Sequence, residues 1–259
     1  MKKIFLPLLL IIFFTSGCSV MNYNYEKIVI GIDDNFAPMG FRDENGELIG
    51  FDIDLAKEAI KRMNCEVEFK PIDWANKEEA ITSGSVDMIW NGLDIMDEYK
   101  KYMIFSKPYM DNRQILLVQK GNPQNIYSEF DLRGKIVATQ AGSHSEIYIN
   151  ANESVKNSFK EFRTYPNFKD GFAALAKGEF DALIIDEIAA RYEMTINPGA
   201  FDIVETTIGS ITKFGIGFPK NKVELRDKVQ KIFDGMIKDG TAKEISEKWF
   251  NADLIKTQK

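Results

Sequence analysis

The chain has 259 residues, 44% hydrophobic, 28% charged and 12% aromatic, a composition that excludes a wholly disordered, collagen-like or disulfide-stapled polypeptide. Its 33 lysines and arginines face 39 acids, a net charge of −6, which argues against nucleic acid as a partner because phosphate binding needs a basic face. With one histidine and two cysteines, and neither a GxxxxGKS/T nor a GxGxxG stretch, no metal centre, cofactor or nucleotide cradle is expected.

The N-terminus reads as an export leader. Lys2 and Lys3 precede an apolar run from Ile4 to Phe14, and Thr15-Ser16-Gly17-Cys18 follows. A charged start, a short apolar segment and small residues before a cut site make a secretory signal peptide over residues 1–17. The run is too short to span a bilayer, which needs ~20 residues. Cys18 stands where a bacterial lipoprotein signal is cut and acylated, although Thr15 departs from the usual Leu, Val or Ile of that signal. Residues 18–25 then form a lipid-anchored linker, and Cys65, left without a partner, is expected to act as a small buried hydrophobe.

The body alternates strand-like and helix-like segments. Strands are predicted at Ile28–Ile32, Val67–Pro71, Val86–Trp90, Ile115–Gln119, Lys135–Thr139, Asp181–Ile185, Asp202–Glu205 and Phe214–Phe218. Phe51, Leu55, Ala59 and Met63 recur at four-residue spacing and predict a helix over 51–63. Its first turn carries Asp52 and Asp54 and its last Lys61 and Arg62, as the helix dipole favours. A helical piece is predicted at Lys77–Thr82. Near the end, Leu225, Val229, Ile232, Phe233, Met236 and Ile237 form one apolar stripe, and Ala242, Ile245 and Trp249 a second. Thr241 and Glu244 have the spacing of a capping box. Alternation of this kind predicts parallel sheets covered by helices, an α/β class, and the length suggests two lobes.

Eight stretches then carry a resemblance: Gly31–Phe41 (GIDDNFAPMGF), Gly50–Ala56 (GFDIDLA), Ser83–Ile89 (SGSVDMI), Phe105–Tyr109 (FSKPY), Leu132–Val137 (LRGKIV), Gln140–Ser143 (QAGS), Gly178–Ala182 (GEFDA) and Asp239–Phe250 (DGTAKEISEKWF). In this order and spacing they resemble the polar amino-acid family of ABC-importer solute-binding proteins, the bacterial extracellular solute-binding proteins of family 3. The resemblance implies a type II periplasmic-binding-protein fold. Residues 26–112 with 208–259 would form lobe 1 and 113–207 lobe 2, joined by two hinge crossovers. The ligand would sit between them, and the lobes would close because it touches both. It implies a small-molecule ligand, ABC permease subunits as partners, and a place at the outer face of the cell membrane through the lipid anchor.

The same resemblance places the cleft. Asp33 and Phe36 match a carboxylate and a ring that meet the ligand, and Trp74 a second stacking ring. Backbone groups of Asn91 and Gly92 should face the ligand at the end of a strand, where Trp90 is either core or cleft. Ser143 and His144 belong to a loop that receives an anionic group at a helix start. Asp186 matches the acid that takes the ligand's α-ammonium, and Gln114, at the first crossover, is a hinge or cleft donor. Three positions depart from the pattern. Asp94 stands where Thr or Ser is usual, Tyr99 where an arginine grips the α-carboxylate, and His144 where Ser or Thr is usual. Losing one partner of such a buried pair costs ~2–5 kcal/mol. A protonated His144, Lys100 or Arg113 could replace the guanidinium in part.

Acids and rings without an assured cation favour a cationic guest. Two ligands fit: a cationic or polar amino acid whose carboxylate rests on backbone N–H groups and His144, or an amine or modified amino acid without a free α-carboxylate. Relatives on this scaffold include dehydratases of anionic cyclic acids, which three aspartates would repel, and ligand-sensing domains, for which no output module is evident. A binding protein rather than an enzyme is expected.

Overall fold

A computed structural model describes residues 25–256; the leader, Cys18 and the linker up to residue 24 lie outside the described residues. In chain order the strands are β1 (Lys27–Ile32), β2 (Asn35–Phe36), β3 (Gly40–Arg42), β4 (Leu48–Ile49), β5 (Glu66–Pro71), β6 (Met88–Ile89), β7 (Met103–Phe105), β8 (Met110–Gln119), β9 (Ile136–Gln140), β10 (Glu161–Tyr165), β11 (Ala182–Asp186), β12 (Phe201–Phe214) and β13 (Gly217–Pro219). The helices are α1 (Phe51–Met63), α2 (Lys77–Thr82), α3 (His144–Ala151), α4 (Glu153–Lys156), α5 (Phe168–Ala176), α6 (Glu187–Ile196), α7 (Val223–Lys238) and α8 (Thr241–Phe250). No helix among the described residues is long and apolar enough to cross a membrane.

Two five-stranded sheets organise the chain. One runs β5-β1-β6-β13-β7 and the other β10-β9-β11-β8-β12, with β2, β3 and β4 forming a small third sheet. Helices cover both large sheets, which is the two-lobed type II architecture. The expectation of parallel sheets holds only in part. β13 runs antiparallel to β6 and β7, and β8 runs antiparallel to β11 and β12. The reason is connectivity: the chain leaves the first sheet through β8 and re-enters it after β12, and the two long crossovers pair antiparallel.

Those crossovers are longer than their apolar cores suggested. β8 begins at Met110, five residues before the predicted start, and β12 extends from Phe201 to Phe214. Pairing holds at both ends, with Phe201 opposite Gln119 and Phe214 opposite Met110, across irregularities near Ile208. The polar middle of β12 is mostly exposed or half-buried and pairs with β8 only at Ile208, so hydrophobic pattern under-reads it. The strand predicted at Phe214–Phe218 is cut in two: Phe214 ends β12, and β13 begins only at Gly217.

Local caps explain the helix ends. Gly50 opens α1 at φ 144°, and Asn64 closes it in the left-handed region. Asp52 and Asp54 serve tertiary contacts rather than only the dipole. The buried Asp52 accepts from Tyr109 Oη at 2.8 Å and Gly92 N–H at 2.6 Å. Asp54 accepts from Trp249 Nε1 at 2.8 Å and Lys248 Nζ at 2.7 Å, tying α1 to α8. The predicted capping box at Thr241 does not form. Gly240 is the N-cap, and the Thr241 hydroxyl donates to Asp239 while accepting from Arg62. Cys65 is half-buried against the core, and Trp90 is wholly core, edge-on to Phe233.

Candidate ligand-binding cleft

The cleft is assembled from strand ends, where an open α/β sheet leaves its loops facing the ligand. From the first half come the loop after β1 (Asp33, Phe36), the turn before α2 (Trp74) and the segment after β6 (Gly92, Leu93, Asp94, Tyr99). From the second come the end of β9 and the start of α3 (Gln140, Ser143, His144) and the end of β11 (Asp186). Together they line one cavity between the two halves. Nine of the eleven predicted site residues are on its wall; Asn91 and Gln114 are not.

The three aspartates converge on this cavity and are all buried. Asp33 accepts from Asn35 N–H at 2.9 Å and from Gln140 Nε2 at 2.6 Å, the latter reaching across from the second half. Asp94 accepts from Thr212 Oγ1 at 2.5 Å and Asn112 Nδ2 at 3.1 Å. The same Asn112 nitrogen donates to Asp186 at 2.5 Å, so one amide of crossover β8 bridges an acid from each half. Gln114 Nε2 adds a bond to Asp186 at 2.6 Å and itself accepts from Ser145 Oγ at 2.6 Å. Burial raises the pKa of all three carboxyls, and the charge of Asp94 raises Asp186 further.

The rings are set by close packing. Gly92 has φ +56°, and a Cβ there would collide with the Phe36 ring, so only glycine lets that ring reach the cavity. Phe36 tilts against Phe168 of the second half at 5.9 Å. Trp74 and Tyr99 flank a buried lysine that the sequence reading missed. The Lys77 ammonium lies 5.3 Å from the Trp74 ring centre and 4.7 Å from that of Tyr99. It donates to Trp74 O at 3.0 Å and, across the cleft, to Gly142 O at 2.6 Å. Burial pulls its pKa down to about 8. Lysine at the start of a helix ordinarily points to water, so no signal in the sequence marks it as buried.

Four expectations need correction. Asn91, whose backbone is expected from sequence to face the ligand, is wholly buried and off the cavity wall; its side-chain Oδ1 accepts the Asp33 N–H at 2.9 Å and positions that loop. The Gly92 N–H is taken by Asp52, so it cannot donate to a ligand. Gln114 sits behind Asp186 as its support. His144 is buried rather than solvated, but burial lowers its pKa below the ordinary imidazole value. It is therefore neutral at pH 7 and does not stand in for a guanidinium. Nor do the other substitutes. Lys100 pairs with Asp97 on the surface, and Arg113 forms ion pairs with Glu187 and Glu205 outside the cavity. The Tyr99 hydroxyl donates to Gly142 O at 3.1 Å.

The helix-opening loop is partly committed. Ser143 caps α3, its Oγ accepting from Glu146 N–H at 3.2 Å and sharing a hydrogen bond with Thr139. Glu146 in turn accepts from Gly142 N–H at 2.6 Å. Among the described residues no group of three or more His, Cys, Asp or Glu could hold a metal.

Comparison with known proteins places the chain in a family. A sequence model of the bacterial extracellular solute-binding proteins, family 3, matches residues 28–252. The L-cystine-binding protein TcyJ of Escherichia coli (strain K12) is 29% identical over 238 residues, covering 88% of this chain and 84% of its own. The histidine-binding periplasmic protein of Salmonella typhimurium is 30% identical over 265 residues, covering 98% and 99%. The crystal structure of an ABC uptake transporter substrate-binding protein from Streptococcus pneumoniae with bound histidine superposes with a TM-score of 0.85. It is 34% identical and covers 90% of this chain and 95% of that one.

Proposed function

Because the chain belongs to the bacterial extracellular solute-binding proteins, family 3, we propose that it is the exported capture component of an ABC importer and that its cleft traps a small cationic ligand for delivery to the permease. The observation that carries this reading is the convergence of Asp33, Asp94 and Asp186 with Phe36, Trp74 and Tyr99 on one cavity. A buried carboxylate has to be paired or protonated, and a cation that pairs with acids from both halves favours the closed form over the open one. The relatives support an amino acid as guest, and the cationic or polar class fits the acids. The replacement of the expected arginine by Tyr99 supports the second reading, an amine or a modified amino acid.

The role is capture rather than turnover. What supports this is that the relatives it matches are named for binding L-cystine and histidine. Cys18 is the proposed lipid attachment and residues 26–112 with 208–259, against 113–207, the proposed lobes.

A thermal-shift panel of the twenty amino acids and simple amines tests the reading. A cationic binder at 100 times its Kd should add ~2.7 kcal/mol of stability. Stabilisation by glutamate or aspartate alone would overturn it.

A further inference from the structure

The cavity's acids fall into two separate stations. Asp94 and Asp186 share the Asn112 amide and are further held by Thr212 and Gln114. Asp33 shares none of these partners. Its own are Asn35 and Gln140, and Phe36 and Trp74 line the same cavity. Two stations in one small cavity suit a guest with a positive group at each end.

The charge balance points the same way. Against the three aspartates stands Lys77, and its charge also faces Glu146 and Asp73. Its ammonium is already spent on two carbonyls. Glu98 adds further negative field at His144. With all three aspartates ionised, as a bound cation would hold them, acids exceed Lys77 by two among the cavity's own groups. A free basic amino acid brings a net +1; a diamine brings +2.

A carboxylate, meanwhile, finds few hosts. The Tyr99 hydrogen is given to Gly142 O, the Gly142 N–H to Glu146, and the Gly92 N–H to Asp52. The first-turn amides of α3 lack intrahelical acceptors, but they stand in the field of Asp186, which reaches His144. An independent observation concerns His144 itself. It is 7% exposed and lines the cavity, and its Nδ1 has no hydrogen-bond partner. This unpartnered ring nitrogen is a polar atom of the second half left for a guest to satisfy, and with Nδ1 unprotonated it accepts from an ammonium.

We propose that the ligand is a small organic dication without a free carboxylate, a diamine or guanidino-amine, held at one end by Asp94 and Asp186 and at the other by Asp33. The proposal rests on the reading of the cleft as a cation trap and narrows it.

Calorimetry on the protein at pH 7.5 tests it with matched pairs: 4-guanidinobutylamine against arginine, 1,5-diaminopentane against lysine, and argininamide as a dication that keeps the amino-acid skeleton. The dicationic member of a pair should bind at least tenfold tighter, and Asp94→Asn should reduce that preference at least tenfold while leaving the fold, read by circular dichroism, intact. If Asp94→Asn unfolds, Asp94→Thr, the residue type usual at this position, serves instead. Arginine or lysine binding as tightly as its carboxylate-free partner overturns the dication proposal and leaves the cation trap standing. Binding only of neutral or acidic amino acids overturns both. No measurable heat with any of the dications also overturns the narrower proposal.

Discussion

Asp52 and Asp186 are both buried carboxylates with raised pKa values, yet they do different work. Asp52 lies at the start of α1, where a tyrosine hydroxyl and a backbone amide of the same half close over it. Asp186 lies at the end of β11, supported from behind by Gln114 and Asn112 but facing a cavity that both halves line. One carboxylate fastens a loop to a helix; the other is proposed to offer charge to a guest. Burial and a perturbed pKa do not by themselves mark a binding residue, although such residues gather at functional sites. The side of the carboxyl that the protein leaves open decides.

The comparison breaks most visibly under substitution. Asp186→Asn keeps the shape and removes the charge, and it should cost ~2–5 kcal/mol of cation affinity, measured by calorimetry. An unchanged Kd would place Asp186 with Asp52 as a structural acid. Asp52→Ala should behave the other way. It strands the Tyr109 hydroxyl and the Gly92 amide, each at a cost of ~1–3 kcal/mol, read as a lower urea midpoint. Affinity for the same cation should stay within a few-fold.

Acidity sharpens the contrast with a smaller effect. The folded pKa of Asp52 is raised from 3.8 to about 7, and those of Asp94 and Asp186 are raised too. The folded protein therefore binds protons that the unfolded chain has released. These groups favour folding at low pH, and that contribution is lost as pH rises through the folded values. Unliganded protein should thus gain on the order of 1 kcal/mol from pH 7.5 to pH 5. His144, held neutral in the folded state, opposes part of the gain. Asp52→Asn should flatten the slope without changing how the cation's affinity falls with acid, because that fall belongs to the cleft pair. Loss of both effects together in Asp52→Asn would erase the distinction.

Much of this was readable in the chain itself. Asp33, Phe36, Trp74, Asp94, Tyr99 and Asp186 stand at motif positions, and all six line the cavity. The tail helices followed from their apolar stripes. What stayed hidden depends on contacts remote in sequence. Lys77 is surrounded by exposed helical neighbours, and only the approach of Gly142 and two rings buries it. The Gly92 amide is withdrawn from the cleft by Asp52, 40 positions away. His144 reads as a candidate cation until its burial is known. Thr241 carries a capping signature, but Asp239 and Arg62 compete for its hydroxyl.

The paired crossovers have a mechanical consequence. Because β8 and β12 are stitched to each other at both ends, the proposed lobes would share a single crease and fold like the covers of a book, since sliding past one another would tear the seam. Asn112 sits on that spine with a page on either side. On the proposed reading, a guest between Asp94 and Asp186 would be felt first at the binding, where a small rotation would set the angle of everything farther out.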